Sequence, residues 1–426
     1  MLKRIFPLLD WFVLGLLSVL THQTMLVCFR IGTVPPKACI YGTPQGQLSA
    51  LFIIVLFVFW RLRFDCEEKK YIAFWQKNWV LGLFVCLALA SLTWTVLLEA
   101  TIYRSFLLLF IVLIASYVGM RISPRELVNF IAVVIGIFAL ASLLLALIWP
   151  SAGITSAHPY EGLWRGIFWH KIYLGATMAL GYPSYLIILF SANVEYSRLI
   201  KFLALAFLAI CSGLAVLSDS ASGLVVFVIQ TCLFILISLW LLWGHLLSKR
   251  LYWLMGLCML AGGVLVITNL DILFGFFNRS ASLTGRVPMW QYVLETYFVD
   301  HPFFGHGFGA FWLQPGINQE VQSVVGWLYP VKVSDNGYLD VLLGLGVVGL
   351  FLLLAILATG FKRAYQIAIN GHDLVHFFPL FVMVHILFIN IGLSYIIEME
   401  SFIWFLLVII LFMDPSNNWA RRSSTN

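Results

Sequence analysis

The chain has 426 residues, of which 62% are hydrophobic and only 10% charged, with a mean hydropathy of +0.98. A water-soluble domain carries roughly 25% charged residues, so a soluble globule, a disordered chain, a coiled coil and a small disulfide scaffold are all excluded. What remains is an all-α polytopic membrane protein, in which the net charge of +6 speaks of orientation. No basic run interleaved with aromatics points to nucleic acid.

Apolar runs long enough to cross a bilayer predict about twelve transmembrane helices. The first, 6–29, follows Lys3 and Arg4 and lacks a small-residue cleavage site, so it reads as an uncleaved span. Cys28 and Cys39 bracket the first outer loop, where they either pair or stand as two unrelated thiols. Spans follow at 46–60, 79–98, 105–120 and 127–149. A short outer loop, 150–170, then leads to spans at 173–190, 199–217, 223–243 and 251–275. A large outer loop, 276–336, precedes the last three, at 337–360, 374–392 and 401–413. The chain shows no internal repeats and no soluble domain, so 1–426 reads as a single integral membrane domain.

Counting basic residues on alternate sides orients this array. With the N-terminus inside, seventeen of the 25 Lys and Arg residues fall on the cytoplasmic side, and every inner loop carries at least two. Both termini are then cytoplasmic, and the two longer loops face outward.

The outer loops carry the chemistry. The shorter one ends in Glu161-Gly-Leu-Trp164-Arg165-Gly-Ile-Phe-Trp169-His170-Lys171, a carboxylate, a guanidinium, an imidazole and an ammonium in an otherwise apolar chain. His170 and Lys171 either anchor the following span at the interface or help bind an anion. In the larger loop, Asn278-Arg279 to Arg286-Val-Pro288-Met-Trp290 is the densest polar segment. Pro288 suits the first turn of a short surface helix. Arg286 just before that helix makes an anion site, because guanidinium and free backbone N–H groups point together. The alternative is that Arg279 and Arg286 contact lipid headgroups. Next, His301-Pro-Phe-Phe-Gly-His306-Gly-Phe-Gly-Ala-Phe-Trp312 offers glycines that admit close backbone approach to a ligand, or a series of turns. The loop closes with Ser334-Asp335-Asn336-Gly337-Tyr338, followed by Gly344, Gly346 and Gly349, a spacing that predicts close helix packing. Asp335 is either a general base at the membrane rim or the cap of the helix.

In this order, W-R-G-x-F-x-H-K-x-x-L-G, L-T-G-R-x-x-x-W, P-x-x-G-x-G-x-x-x-F-W and D-N-G-Y-L-D, these segments resemble the O-antigen ligase/polymerase superfamily, above all its bacterial exopolysaccharide polymerases. The likeness spans roughly 70–410, with its motifs at 161–175 and 279–349. It implies a C-type glycosyltransferase fold in the bacterial inner membrane. It also implies glycosyl transfer from undecaprenyl pyrophosphate on the outer face, without metal, nucleotide or cofactor.

The resemblance further implies that Asp335 and Arg286 are catalytic. Arg165, Arg279, His170, Lys171, Glu161, Asn336 and Tyr338 would bind substrate. Expected partners are the lipid-linked glycan, an acceptor glycan or lipid, membrane lipid, a flippase and a chain-length regulator. Ligases of this kind carry His where this chain has Asp335, which favours a polymerase over a ligase acting on lipid A-core. Relatives often carry Arg or Lys at Ala221, a charge that Arg165 is a candidate to replace. A transporter is less favoured, since the intramembrane ionisable residues Asp10, His376 and His385 form no evident relay.

Overall fold

The computed structural model describes residues 44–64, 67–156, 160–192, 194–243, 286–326, 331–371, 373–396 and 402–415. Spans 6–29 and 251–275, Arg279, Cys28 and Cys39, and both termini lie outside the described residues.

The described chain is helical. Helices α1 (Pro44–Phe64), α2 (Glu68–Lys77), α3 (Trp79–Ala90), α4 (Leu98–Gly119) and α5 (Pro124–Ile148) are followed by α6 (Lys171–Phe190), α7 (Arg198–Leu217) and α8 (Ala221–Trp243). After the undescribed stretch come α9 (Arg286–Val293), α10 (Ile317–Val325), α11 (Gly337–Asn370), α12 (Phe378–Ile389) and α13 (Phe402–Phe412). Among the described residues six helices are long and apolar enough to span a bilayer, or seven if one bent pair counts as a span. The second helix of that pair, from Trp79, falls in the predicted 79–98 span, whereas α2, which meets it at 82°, precedes that span. Asn78 sits at the bend, its side-chain amide donating to the carbonyls of Phe74 (3.0 Å) and Leu411 (3.2 Å).

Polar residues set the helix ends. Ser123 and Glu126 cap α5 reciprocally, Glu126 N–H to Ser123 Oγ at 3.2 Å and Ser123 N–H to Glu126 Oε2 at 2.8 Å. Pro124 supplies the first turn. Ser197 caps α7 through the N–H of Ile200. Helices α6 and α13 are almost wholly enclosed, whereas α7 and α8 stand at the periphery. Their outward side chains, among them Phe202, Leu205, Val228 and Leu242, form an apolar surface of the kind that faces lipid in a membrane-spanning helix.

Charge separates the two ends of the bundle. At one end Arg121 pairs with Glu67 at 2.7 Å and Arg125 lies over the ring of Tyr196. The 160–170 loop, the turn between α7 and α8 and the 331–336 segment gather at the other end, a full helix length away along α5.

A satellite core stands on that second end. Met289 and Val293 of α9 pack with Phe311, Trp312, Ile317, Val321, Leu339 and Leu343. What fastens this lobe to the bundle differs from expectation. In 301–312, Gly305 approaches the backbone of Leu343 and Gly344, Gly307 lies against Thr95 and Gly309 against the Arg104 side chain. His306 N–H donates to Leu343 O and Gly307 N–H to Gly344 O, both at 2.9 Å, while Val347 N–H donates to Pro302 O at 2.8 Å. Gly346 adopts φ +66°, ψ −167° and breaks α11 where that segment crosses it. The expected helix–helix packing at Gly344 and Gly346 is therefore a loop docked into a broken helix.

Candidate functional site

Two left-handed aspartates mark the site. Among the described residues Asp219 (φ +44°) and Asp335 (φ +53°) are the non-glycine positions with positive φ, a conformation that Asp adopts more readily than most residues. Each faces a cation. Arg286, the first residue of α9, donates from Nε (2.9 Å) and Nη2 (2.8 Å) to the same oxygen, Oδ2 of Asp335. Lys171, the first residue of α6, donates from Nζ to the main-chain oxygen of Asp219 (2.8 Å) and lies 3.5 Å from its Oδ2. The Lys171 side chain is 4% exposed, and its ammonium sits over the ring of Tyr160.

Asp335 is not the helix cap. That role falls to Asn336, whose Oδ1 accepts from the N–H groups of Tyr338 (3.1 Å) and Leu339 (3.2 Å). The turn is pinned on both sides: Trp290 Nε1 donates to Ser334 O at 2.7 Å, and Asn336 N–H donates to Ser334 Oγ at 3.1 Å. Beneath it lies Asp340, buried, with Oδ1 accepting from Trp312 Nε1 (2.7 Å) and from Ser334 N–H (3.2 Å). The side chain is thus left to meet Arg286 while its neighbours are held. Tyr338 is occupied elsewhere, its hydroxyl donating to Leu387 O on α12.

The 160–170 loop forms the opposite wall. Arg165 is held by its Nε on Ala152 O at 3.0 Å, and burial lowers its pKa. His170 caps α6, its Nδ1 accepting from Ile172 N–H at 3.4 Å. Burial pushes the pKa of this imidazole down to about 4; the Asp335 charge opposes the shift, and Lys171, Arg286 and Arg165 add to it. The sequence-predicted residues Arg165, His170, Lys171, Arg286 and Asp335 therefore share one electrostatic neighbourhood. Lys332 lies over the ring of Trp169, closing the rim between the two walls. Glu161 stands exposed on the loop and takes no part in these contacts.

The floor adds residues to which the sequence assigned no role. Ser222, in the first turn of α8, donates to Gly392 O at 3.3 Å, and a Cβ on Gly392 would lie 3.9 Å from Arg286 Nη1. Ser220 caps α8 through Gly223 N–H. Helices α6, α8, α9 and α11 thus all begin at this site, with His170, Ser220, Arg286 and Asn336 at their starts. Each helix start carries roughly half a positive charge. Four of them, with Arg286, Arg165 and Lys171, concentrate positive charge around the carboxylates of Asp219 and Asp335. Among the described residues no group of three His, Cys, Asp or Glu side chains is placed to hold a metal ion.

A model of the O-antigen ligase family matches residues 205–354. That stretch includes Asp219, Arg286 and Asp335, whereas Arg165, His170 and Lys171 lie upstream of it. The exopolysaccharide production protein ExoQ of Rhizobium meliloti (strain 1021) is 31% identical over 108 residues, 24% of this chain. The chain spans only 22% of that relative's length. The two matches bear out the resemblance to the O-antigen ligase/polymerase superfamily.

Proposed function

We propose that the protein polymerises undecaprenyl-pyrophosphate-linked oligosaccharide repeat units in O-antigen or exopolysaccharide biosynthesis, at the outer face of a bacterial inner membrane. The observation that carries this reading is the convergence of Arg286, Arg165, Lys171 and four helix starts around Asp335. A leaving pyrophosphate needs such a concentration of positive charge, and no nucleotide is at hand outside the cell to supply activation. The reading brings with it twelve spans, cytoplasmic termini and a C-type glycosyltransferase architecture. Arg279, with the large loop 276–336, belongs to the proposed anion-binding side.

In the step we infer, an acceptor hydroxyl attacks the anomeric carbon of the lipid-linked glycan with inversion. The new C–O bond forms as the bond to pyrophosphate breaks, its electron pair leaving with undecaprenyl pyrophosphate. The hydroxyl proton goes to Asp335. Without donor, Arg286 is spent on Asp335; a bound pyrophosphate offers more charge and more acceptor oxygens and competes for the guanidinium. Donor binding then frees the carboxylate to take a proton. Each well-placed charge donor on the leaving group is worth about 3–4 kcal/mol of barrier.

The second reading is a ligase that passes the glycan to lipid A-core, favoured by the description of the matching family. One experiment separates them: glycans from a strain lacking the gene are sized, with and without the wild-type copy. Single repeats left on the carrier support the polymerase. Long chains retained on the carrier support the ligase, and normal glycans overturn both.

A further inference from the structure

We propose that Asp219 binds the acceptor, its carboxylate taking hydrogen bonds from hydroxyls of the acceptor glycan and so orienting the attacking hydroxyl toward Asp335. This rests on the glycosyl-transfer reading of the site and adds to it a substrate-touching residue on the opposite wall.

Four observations support the assignment. First, the strained backbone of Asp219 matches that of Asp335, and strain of this kind persists where surrounding structure enforces it, often at ligand sites. Here the enforcement is visible: Lys171 holds the main-chain oxygen at 2.8 Å, and Trp164 N–H donates to Leu217 O beside the turn.

Second, the enforcing ammonium is buried while the Asp219 side chain, 3.5 Å from it through Oδ2, remains 40% exposed, so the turn is fixed and its carboxylate stays within reach of a ligand. Third, the turn is linked to Arg286. Ser222, one helical turn onward, bonds Gly392, which lies against Arg286. Fourth, charge decides which substrate group fits. A carboxylate repels pyrophosphate but accepts well from sugar hydroxyls, so Asp219 faces the sugar that brings the nucleophile.

Asp219→Asn is a clean probe. Asn tolerates left-handed backbone nearly as well as Asp, and the substitution leaves the main-chain oxygen that Lys171 holds. The wild type, Asp219→Asn and Asp219→Ser would be reconstituted in nanodiscs. Initial rates would be measured with lipid-linked repeat units as donor and the same oligosaccharide, freed of lipid and pyrophosphate, as acceptor. We expect the acceptor KM to rise roughly 10- to 100-fold, the scale of a lost hydrogen bond to a charged group, with the donor KM as in wild type. An unchanged acceptor KM in either folded variant overturns the proposal alone. So does an equal rise in both KM values, which would mark Asp219 as a prop for Lys171. A wild-type protein that elongates nothing overturns the reading of the site and this proposal with it.

Discussion

Replacing Gly346 by alanine tests how the satellite lobe is held on the bundle. The residue has φ +66°, ψ −167°, a region essentially reserved for glycine, and occupying it with a side chain costs about 1–3 kcal/mol. The added methyl would also overlap main-chain atoms of Phe303 and Phe304, which cannot rotate away. Relief requires the docked segment to lift, giving up Val347 N–H to Pro302 O (2.8 Å) and Val348 N–H to Phe303 O (3.3 Å), each worth about 1 kcal/mol. The total is roughly 3–5 kcal/mol. Gly316→Ala is the control, since Gly316 has φ +90° but open space around it and meets only the conformational cost. Thermal denaturation of the two variants in the same detergent should show Gly346→Ala the less stable by about 2 kcal/mol or more. Equal shifts would refute the docking argument. Glycan synthesis should fall with Gly346→Ala as well, because the lobe frames the turn that carries Asp335.

Two further substitutions probe the site walls. Burial holds His170 down to about 4, so between its ordinary 6.5 and 4 the folded protein binds fewer protons than the unfolded chain. The stabilisation is complete above 6.5 and is lost as pH falls toward 4, amounting to about 3 kcal/mol at most. His170→Asn should flatten that part of a stability-against-pH curve, and an unchanged slope would contradict the burial. Asn336→Ala removes the acceptor for two N–H groups at the start of α11 and should cost about 1 kcal/mol in thermal denaturation. A silent Asn336→Ala would mean that another group caps the helix.

Much of the bundle was legible because length and apolarity alone decide a membrane helix. The breaks were not. The bend at Asn78 follows polar Gln76 and Lys77, but the contact that closes it, the Asn78 amide on Leu411 O, joins residues far apart in the chain. Gly346 reads as a packing glycine until the segment crossing it is seen. At the site, the clustering of Arg165, His170, Lys171, Arg286 and Asp335 followed from unlike charges in an apolar chain. The capping role could not be assigned, since Asp335 and Asn336 are adjacent and either side chain can cap. Asp219 was given no role because its segment, Ser218–Gly223, stood out only for lacking a cation at Ala221; its backbone angle and the buried Lys171 single it out. The convergence of helix starts depends on how helices pack, which no local signal encodes.

If Arg286 receives the donor pyrophosphate beside Asp335, its loss must weaken donor binding. Binding of undecaprenyl pyrophosphate would be measured for the wild-type protein and for Arg286→Ala, both in nanodiscs and both verified as folded. We expect at least about 10-fold weaker binding to Arg286→Ala, the loss of a charge-assisted contact. Equal affinity in the two proteins would remove Arg286 from the pyrophosphate site.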